Sequence, residues 1–461
     1  MNPFFKIAII GSGPAGFYSA GELFRQESLS IKIDMFDKLP TPFGLVRGGV
    51  APDHQKIKSV TKIFERIAEN ENFRFFGNVE FGKDLKNEDL LDRYDAVIYS
   101  VGSSSDRLLD IPGENLLGSH SATEFVAWYN GHPDFSDRKF DLSGKNAFVI
   151  GNGNVALDVA RILAKNYDEL SRTDIADYAL MALRKSQIEN IWLVGRRGPI
   201  QAAFSPTELR EFLELEEAEA ILDSKELDFD ESGKSILEIE ASKDTKRNIE
   251  ILKQISSKES SLKRKKVHFL FLSSPVKIFG SEKVEKISLV RNKLKKQNDG
   301  NLRPVPTNEI FEKDANLIFR SIGYHGEALA GLPFDKKKGI IPNDFGQVID
   351  SENPKVLRKR EFVAGWIKRG PSGVIGTNKP DAVETVHRLL DAFHNEKIIP
   401  KKYDSKSDIV FFLKSRRVNF VSFSDWKILN NYEIKSGESN ERPRIKLTSV
   451  EKMLEIIRKS R

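Results

Sequence analysis

The chain has 461 residues, enough for two or three domains, and its 39% hydrophobic and 30% charged content is that of a folded globular protein rather than a disordered one. It contains no cysteine, which excludes disulfides, thiolate catalysis, cysteine-bound iron–sulfur clusters and a redox-active dithiol on this chain. The formal net charge is +6, and residues 395–461 carry sixteen Lys and Arg against nine Asp and Glu, so the excess lies in the C-terminal stretch and suits either a solvated surface or an acidic partner.

Lys6 to Ala20 reads KIAIIGSGPAGFYSA. Ile7 to Ile10 predict a short buried parallel strand, Gly11 to Gly16 fit G-x-G-x-x-G, and a helix is expected to follow with Pro14 in its first turn. A second strand, Ile31 to Phe36, ends in Asp37, about twenty residues on. Residues 39–54, LPTPFGLVRGGVAPDH, are too rich in Pro and Gly for regular structure, and such a loop is more often functional than filler. A helix over 55–70 and strands at Asn72–Phe81 and Tyr94–Val101 follow, then a helix from Thr123.

At Asn146 the opening pattern repeats: strand NAFVI, then GNGNVALDVARILA, with Gly151, Gly153 and Ala156 in the motif positions. The next strand, Ile188–Val194, ends in Gly195, Arg196 and Arg197. Glu208–Glu219 predicts an acidic helix, and 222–266 a charged, partly helical stretch. Strands are expected at Val267–Ser273, Val284–Val290, Asn316–Ile322 and Glu361–Ala364, a turn at Asn298–Asn308, a helix at Ala382–Phe393, and helical patches at Ser407–Lys414 and Val450–Lys459.

Two loops of different kinds imply two dinucleotides. In each, the first glycine allows the tight turn, the second lets backbone approach a pyrophosphate, and the third position lets helix pack on strand. Asp37 suits a free ribose hydroxyl, as in FAD or NAD, whereas Arg196 and Arg197 suit a 2′-phosphate that an acid would repel, hence NADP. FAD with NADPH implies hydride transfer, and without cysteine the electrons must leave to an external acceptor. His54 is either a satisfied structural residue or a proton relay near a flavin. Glu208 and Glu211 share a helical face and read first as solvated acids, and Lys263–Lys266 as a solvated basic run. No aromatic interleaving supports nucleic-acid binding.

These residues resemble the adrenodoxin-reductase type of ferredoxin–NADP(+) reductase. The resemblance rests on GSGPAG, PTPFGLVRGGVAPDHQKIK, FFGNV, YDAVIYSVG, IPGE, VIGNGNVALDVARIL, VGRRGPIQAAF with ELRE, and GWIKRGPSGVIGTNK, and covers essentially the whole chain. It implies an α/β fold of two Rossmann-like domains: a discontinuous FAD domain, 1–106 and 326–461, with a basic C-terminal appendage, and an inserted NADP domain, 107–325. It implies FAD contacts from Gly11, Gly13, Ala15, Gly16, Asp37, Leu45, the backbone of Glu80, Trp366 and Gly373–Val374–Ile375. Glu80 is an acid where the family pattern is apolar. It implies NADP contacts from Arg107, Asn152, Gly153, Asn154, Val155, Arg196, Arg197, Glu208 and Gly373, with His54 and Glu211 assisting proton and hydride movement.

The implied activity is hydride transfer from NADPH to FAD, then single electrons to an acidic ferredoxin-type carrier, with Lys263–Lys266 and the basic tail as docking candidates. The rivals are an NADPH–quinone or diaphorase enzyme and a non-catalytic FAD/NADP-binding sensor module. A monomer is expected, with no metal, nucleic acid or membrane span. The first strand begins so near the start that no targeting segment is expected before it, which points to the cytoplasm, or to the mitochondrial matrix for a processed form.

Overall fold

The computed structural model describes residues 4–229, 233, 236–259, 261–298, 302–350, 352–353, 355–395, 397–401 and 408–461. The chain forms two compact units. One comprises Met1–Ser105, Asn130–Pro133 and Tyr324–Arg461; the other comprises Asp106–Tyr129 and Asp134–Gly323.

The first unit is built on a seven-stranded sheet in the order Asn343–Asp344, Gln347–Ile349, Leu357–Val363, Ala96–Tyr99, Phe4–Ile10, Ser30–Phe36, Phe73–Phe76. The last five are parallel, and the first two extend the edge as an antiparallel hairpin. Ile7, Ala8 and Ile9 are fully buried, as a central parallel strand covered on both faces requires. Phe17 of helix Pro14–Leu23 stacks on Phe64 with ring centroids 5.0 Å apart, and helix Asn378–His394 adds Val386, Leu389 and Leu390 to the same core.

The C-terminal stretch is integral to this unit rather than an appendage. Trp426 and Leu429 from helix Phe423–Glu438, and Met453 and Ile457 from helix Val450–Ser460, join that core. Of the helix expected at Ser407–Lys414, Ile409–Ser415 is helical and Ser407 lies outside the described residues.

The second unit has a six-stranded parallel sheet in the order Ser119–Ser121, Leu317–Arg320, Asn146–Ile150, Asn190–Val194, Lys265–Leu270, Ala218–Leu222, and a three-stranded antiparallel sheet of Ser273–Phe279, Lys286–Lys296 and Leu302–Asp314. The acidic helix expected at Glu208–Glu219 is a short helix, Pro206–Arg210, a single 3₁₀ turn at Glu211–Leu213, and then the edge strand Ala218–Leu222. Glu-rich composition favours helix, but pairing of Ala218–Leu222 with Lys265–Leu270 overrides it. The turn expected at Asn298–Asn308 falls partly on strand Leu302–Asp314, with 299–301 outside the described residues.

Two strand histidines make this unit acid-sensitive. Burial, then Arg320 and Arg138, push His120 down to about 4. Burial, then Lys313 and Lys266, push His268 down to about 4, and its ring stacks on Trp192 at 4.0 Å between centroids. Between the ordinary value of 6.5 and about 4 the unfolded chain binds protons that the folded one refuses, so stability falls as pH drops through that window. Thermal unfolding followed across that window should show a shallower loss in a His120→Gln/His268→Gln variant than in the parent; an equally steep loss would assign the acid sensitivity to other groups.

Candidate functional site

The first glycine loop follows the middle strand of the five parallel ones, whose neighbours diverge on either side, so it opens at the carboxyl edge where open α/β sheets bind ligands. Its glycines do different work. A Cβ at Gly11 (φ +101°) would lie 2.5 Å from the Ser100 carbonyl oxygen, and one at Gly16 would lie 2.3 Å from that of Gly11. These two let helix and strands close on each other. At Gly13 no protein atom lies within 4 Å of an added Cβ. Gly13 caps helix Pro14–Leu23 with no side-chain hydrogen bond, which leaves first-turn N–H groups and the positive dipole end for an anion.

Asp37 is held from three sides. Ser12 donates its N–H and hydroxyl to Oδ2 at 2.9 and 2.6 Å, and Leu39 donates its N–H to Oδ1 at 3.0 Å. Burial raises the carboxyl above its ordinary range, and the Ser12 and Leu39 donors pull against that. A carboxylate has about four acceptor positions, so one is left for a ribose hydroxyl.

The Pro/Gly loop lies on this turn. Phe43 donates its N–H to the Ser12 carbonyl at 3.0 Å, and a Cβ at Gly44 would sit 2.9 Å from the Gly13 Cα. Leu45, 38% exposed, opens the short helix Leu45–Gly48. Half-buried His54 ends the loop as the N-cap of Gln55–Lys58. Ala15 is buried, and a Cβ at Gly365 (φ +78°) would lie 2.6 Å from the Ala15 Cβ. Gly365 starts helix Trp366–Arg369, and the Trp366 Nε1–H is buried without an acceptor among the described residues. Gly373, Val374 and Ile375 lead through a 3₁₀ turn into helix Asn378–His394, which again has no side-chain cap. Glu80 is less available than expected. Its N–H donates to Asp84 Oδ2, and its carbonyl accepts from the N–H groups of Lys83 and Asp84, so its backbone offers no open donor.

The second loop repeats this construction. A Cβ at Gly151 (φ +148°) would be 2.1 Å from the Ser321 carbonyl oxygen, while Gly153 faces open space and caps helix Asn154–Ala164 with no side-chain hydrogen bond. The Asn152 carbonyl accepts from Ala203 N–H at 2.8 Å, and Asn154 Oδ1 accepts from Ser205 N–H at 2.8 Å. Asn152 Nδ2 is buried without an acceptor among the described residues, and Val155 is half-buried at the start of the helix. Six other helices do have side-chain caps: Asn166, Ser205, Ser242, Asp408, Ser422 and Ser449 each accept from the first turn.

Glu208 and Glu211 are not solvated acids. Both face Arg161, fully buried on the glycine-loop helix: its Nη1 lies 3.4 Å from Glu208 Oε2, its Nε 3.0 Å from Glu211 Oε2, and its Nη2 2.8 Å from Asp158 Oδ1. Arg161 carries no motif; the available signal was a lone cation in the apolar run NVALDVARILA. Arg196 is exposed and Arg197 half-buried, and among the described residues no carboxylate pairs with either. Burial, then Arg196, lower the Arg197 guanidinium from its ordinary value. Arg107 is exposed, and its N–H donates to the Gly323 carbonyl at 3.2 Å.

Lys263–Lys266 is largely engaged inside the unit. Lys263 Nζ donates to the Leu215 carbonyl at 2.6 Å, and Lys265 Nζ to those of Leu163 and Lys165, closing the end of the glycine-loop helix. Burial lowers Lys265 to about 8. Lys266 lies 3.6 Å from buried Glu219, and Arg264 Nε 3.8 Å from Glu189. No helix among the described residues is long and apolar enough to cross a membrane.

Residues 5–191 match the family model described as pyridine nucleotide-disulphide oxidoreductase. Over 99% of its own length and 99% of the other's, the chain is 46% identical to NADPH-ferredoxin reductase FprA of Mycobacterium tuberculosis (strain ATCC 25618 / H37Rv). It is 39% identical to the mitochondrial NADPH:adrenodoxin oxidoreductase of Arabidopsis thaliana, over 97% of this chain and 94% of that one. The solved structure of Mycobacterium tuberculosis FprA in complex with NADPH superposes with a TM-score of 0.92 at 46% identity, covering 98% of this chain and 99% of that one. The chain belongs to the adrenodoxin-reductase-type ferredoxin–NADP(+) reductases. Its fold is the FAD/NAD(P)-binding α/β fold of that family. The disulphide in the wider family's description has no counterpart in a chain without cysteine.

The contrast between open and packed glycines gives a prediction. Gly13→Ala and Gly153→Ala should fold with stability within about 1 kcal/mol of the parent while weakening dinucleotide binding. Gly151→Ala should lower the unfolding midpoint, because its Cβ meets backbone. Calorimetry with dinucleotide titration checks both; a stability loss at Gly153 matching that at Gly151 would contradict the assignment.

Proposed function

We propose that this chain is an NADPH–ferredoxin oxidoreductase that holds FAD on its first unit and NADP(H) on its second. The observation that carries this reading is the pair of helices capped only by Gly13 and Gly153, one beside an acid and the other in a unit with two arginines that have no carboxylate partner among the described residues. The residues present fit both groups: open N–H donors for two pyrophosphates, one acceptor position on Asp37 for a ribose, and two guanidinium groups for a 2′-phosphate.

In the first unit Ala15 offers first-turn N–H, Leu45 an apolar face, and Trp366 its unpartnered Nε1–H, with the Gly373–Ile375 backbone beside the uncapped start of Asn378–His394. In the second, Asn152–Val155 hold the diphosphate while Arg107, Arg196 and Arg197 hold the phosphorylated ribose. A bound flavin would supply a hydride acceptor for the reduced nicotinamide and a donor of single electrons to the carrier. Glu208 and Glu211 are fixed by Arg161, so neither carboxylate swings freely. To His54, at the end of the Pro/Gly loop, we assign the movement of a proton. The acceptor is a ferredoxin-type carrier, which we take to be acidic and to dock on exposed cations outside Lys263–Lys266.

Anaerobic mixing with NADPH should bleach the flavin, and ferredoxin reduction should slow as salt is raised. An unbleached flavin would sink the reductase reading; salt-independent ferredoxin reduction would sink electrostatic docking, and quinone turnover without ferredoxin turnover would replace the acceptor. The paired change Arg196→Ala/Arg197→Ala should raise the KM for NADPH about tenfold or more, since each charged hydrogen bond contributes roughly 1.5–3 kcal/mol, and leave NADH kinetics nearly unchanged. Equal losses with both coenzymes would make the pair structural.

A further inference from the structure

We infer that Asn292 is a positioning residue for coenzyme choice, acting through the backbone of Arg196. This rests on the reading of Arg196 and Arg197 as the 2′-phosphate clamp. The two arginines stand on a turn after strand Asn190–Val194, and every carbonyl of that turn from Gly195 to Arg197 is held by Leu272–Ser273 or by Asn292. Ser273 N–H donates to the Gly195 carbonyl at 2.9 Å, and Leu272 N–H to that of Arg197 at 3.2 Å. The middle carbonyl, Arg196, accepts from a side chain instead: Asn292 Nδ2 at 2.9 Å. Of the three anchors it alone is a side chain.

Asn292 is itself rigidly placed. Its backbone N–H donates to the Leu272 carbonyl at 2.7 Å, and its Nδ2 also donates to Ser274 Oγ at 2.8 Å. The register of strand Lys286–Lys296 against Leu302–Asp314 shifts between Val290 and Asn292. Such a bulge turns a side chain out of regular alternation, here toward the arginine turn. The Asn292 Oδ1 is buried and has no donor among the described residues. An apolar side chain would avoid that unpaired oxygen but would leave the Arg196 carbonyl without its donor, so the amide's contribution lies in the turn it holds.

The turn needs holding because its side chains repel each other. Among the described residues Arg196 and Arg197 have no carboxylate partner, and Arg196 disfavours the charge of Arg197. A flexible turn would relieve this by letting the guanidinium groups splay. A fixed Arg196 backbone keeps both ready to meet one phosphate, so less ordering remains to be done on binding.

The test is steady-state kinetics of the holoenzyme with NADPH and with NADH. Asn292→Ala should raise the KM for NADPH about fivefold, the scale of one lost hydrogen bond, with kcat and the NADH constants unchanged. In the Arg196→Ala/Arg197→Ala background the same change should add nothing. Equal losses with both coenzymes, or an additive loss in the double background, would overturn the proposal in favour of a purely structural amide. Should Asn292→Ala fold poorly, Ser274→Ala removes the second acceptor of the amide and leaves its bond to Arg196 in place. It should leave the KM for NADPH at or below that of the parent if Arg196 is the partner that matters, and a rise would count against the proposal. If the paired arginine change itself spares NADPH, the clamp reading fails first, and that outcome is distinct from an intact clamp indifferent to Asn292.

Discussion

A helix that starts without a side-chain cap leaves its first N–H groups and its positive dipole end unanswered by the protein, and both units are organised around such a start. The arrangement holds because the flanking glycines let backbone approach backbone: Gly11 under Ser100 and Gly16 against Gly11 in one unit, Gly151 under Ser321 in the other. Each open N-terminus therefore sits at the carboxyl edge of a parallel sheet, beside a rigid strand end. In the first unit that strand end carries Asp37, and Ser12, inside the loop, grips it. In the second it carries the arginine turn, and Gly195 closes against Asn152 of the loop. Loop and discriminating residue are thus one mechanical piece in each case.

The C-terminal stretch, a docking candidate for its excess of Lys and Arg, also pairs charges internally. Glu433, fully buried on helix Phe423–Glu438, accepts bidentate hydrogen bonds from Arg47 in the Pro/Gly loop, a further one from Leu447 N–H at 2.8 Å, and lies 3.3 Å from Arg444. Lys446 Nζ donates to the Arg47 carbonyl and to Asn130 Oδ1. Trp426 meets Phe43 edge-on at 5.9 Å and lies under the Arg47 guanidinium. A buried charge left without its partner costs roughly 3–5 kcal/mol, so these contacts tie the tail to the loop that bears Leu45 and His54.

The parts of the fold written in local chemistry were legible in the sequence. The strand Asn146–Ile150, both glycine loops, their helices and the strand leading to the arginine turn need only apolar runs and punctuation by glycine. What was not legible depended on partners far along the chain. The Glu208–Glu219 run has the propensity of a helix, yet Ala218–Leu222 completes a sheet edge, with Glu219 answered by Ser261 and Lys266. The Lys263–Lys266 run looks like an exposed patch, yet two of its ammonium groups bind carbonyls, Lys263 that of Leu215 and Lys265 that of Leu163 at the end of a helix. In the candidate site, Asp37 and the arginine pair follow from position after a strand, whereas Arg161 and Asn292 act only through tertiary contacts that spacing does not encode.

The two sites are electrostatically unlike, and this difference bears on which group each can hold. Asp37 has most of its acceptor capacity filled by Ser12 and Leu39, so it stays fixed and can take one more donor; a second anion beside it would meet a carboxylate that cannot turn away. Arg196 and Arg197 are the reverse: two cations side by side, without a carboxylate partner among the described residues, whose repulsion a folded chain gains nothing by keeping. Structural arginines in this chain look different. Arg161, Arg47 and Arg291 each have a carboxylate within about 3 Å, as buried guanidinium groups require. A pair held by its backbone and left open at its side chains is accounted for by an anion from outside. Because the acid stands in one unit and the cations in the other, exchanging the two dinucleotides would set a phosphate against Asp37 and leave the arginines without one.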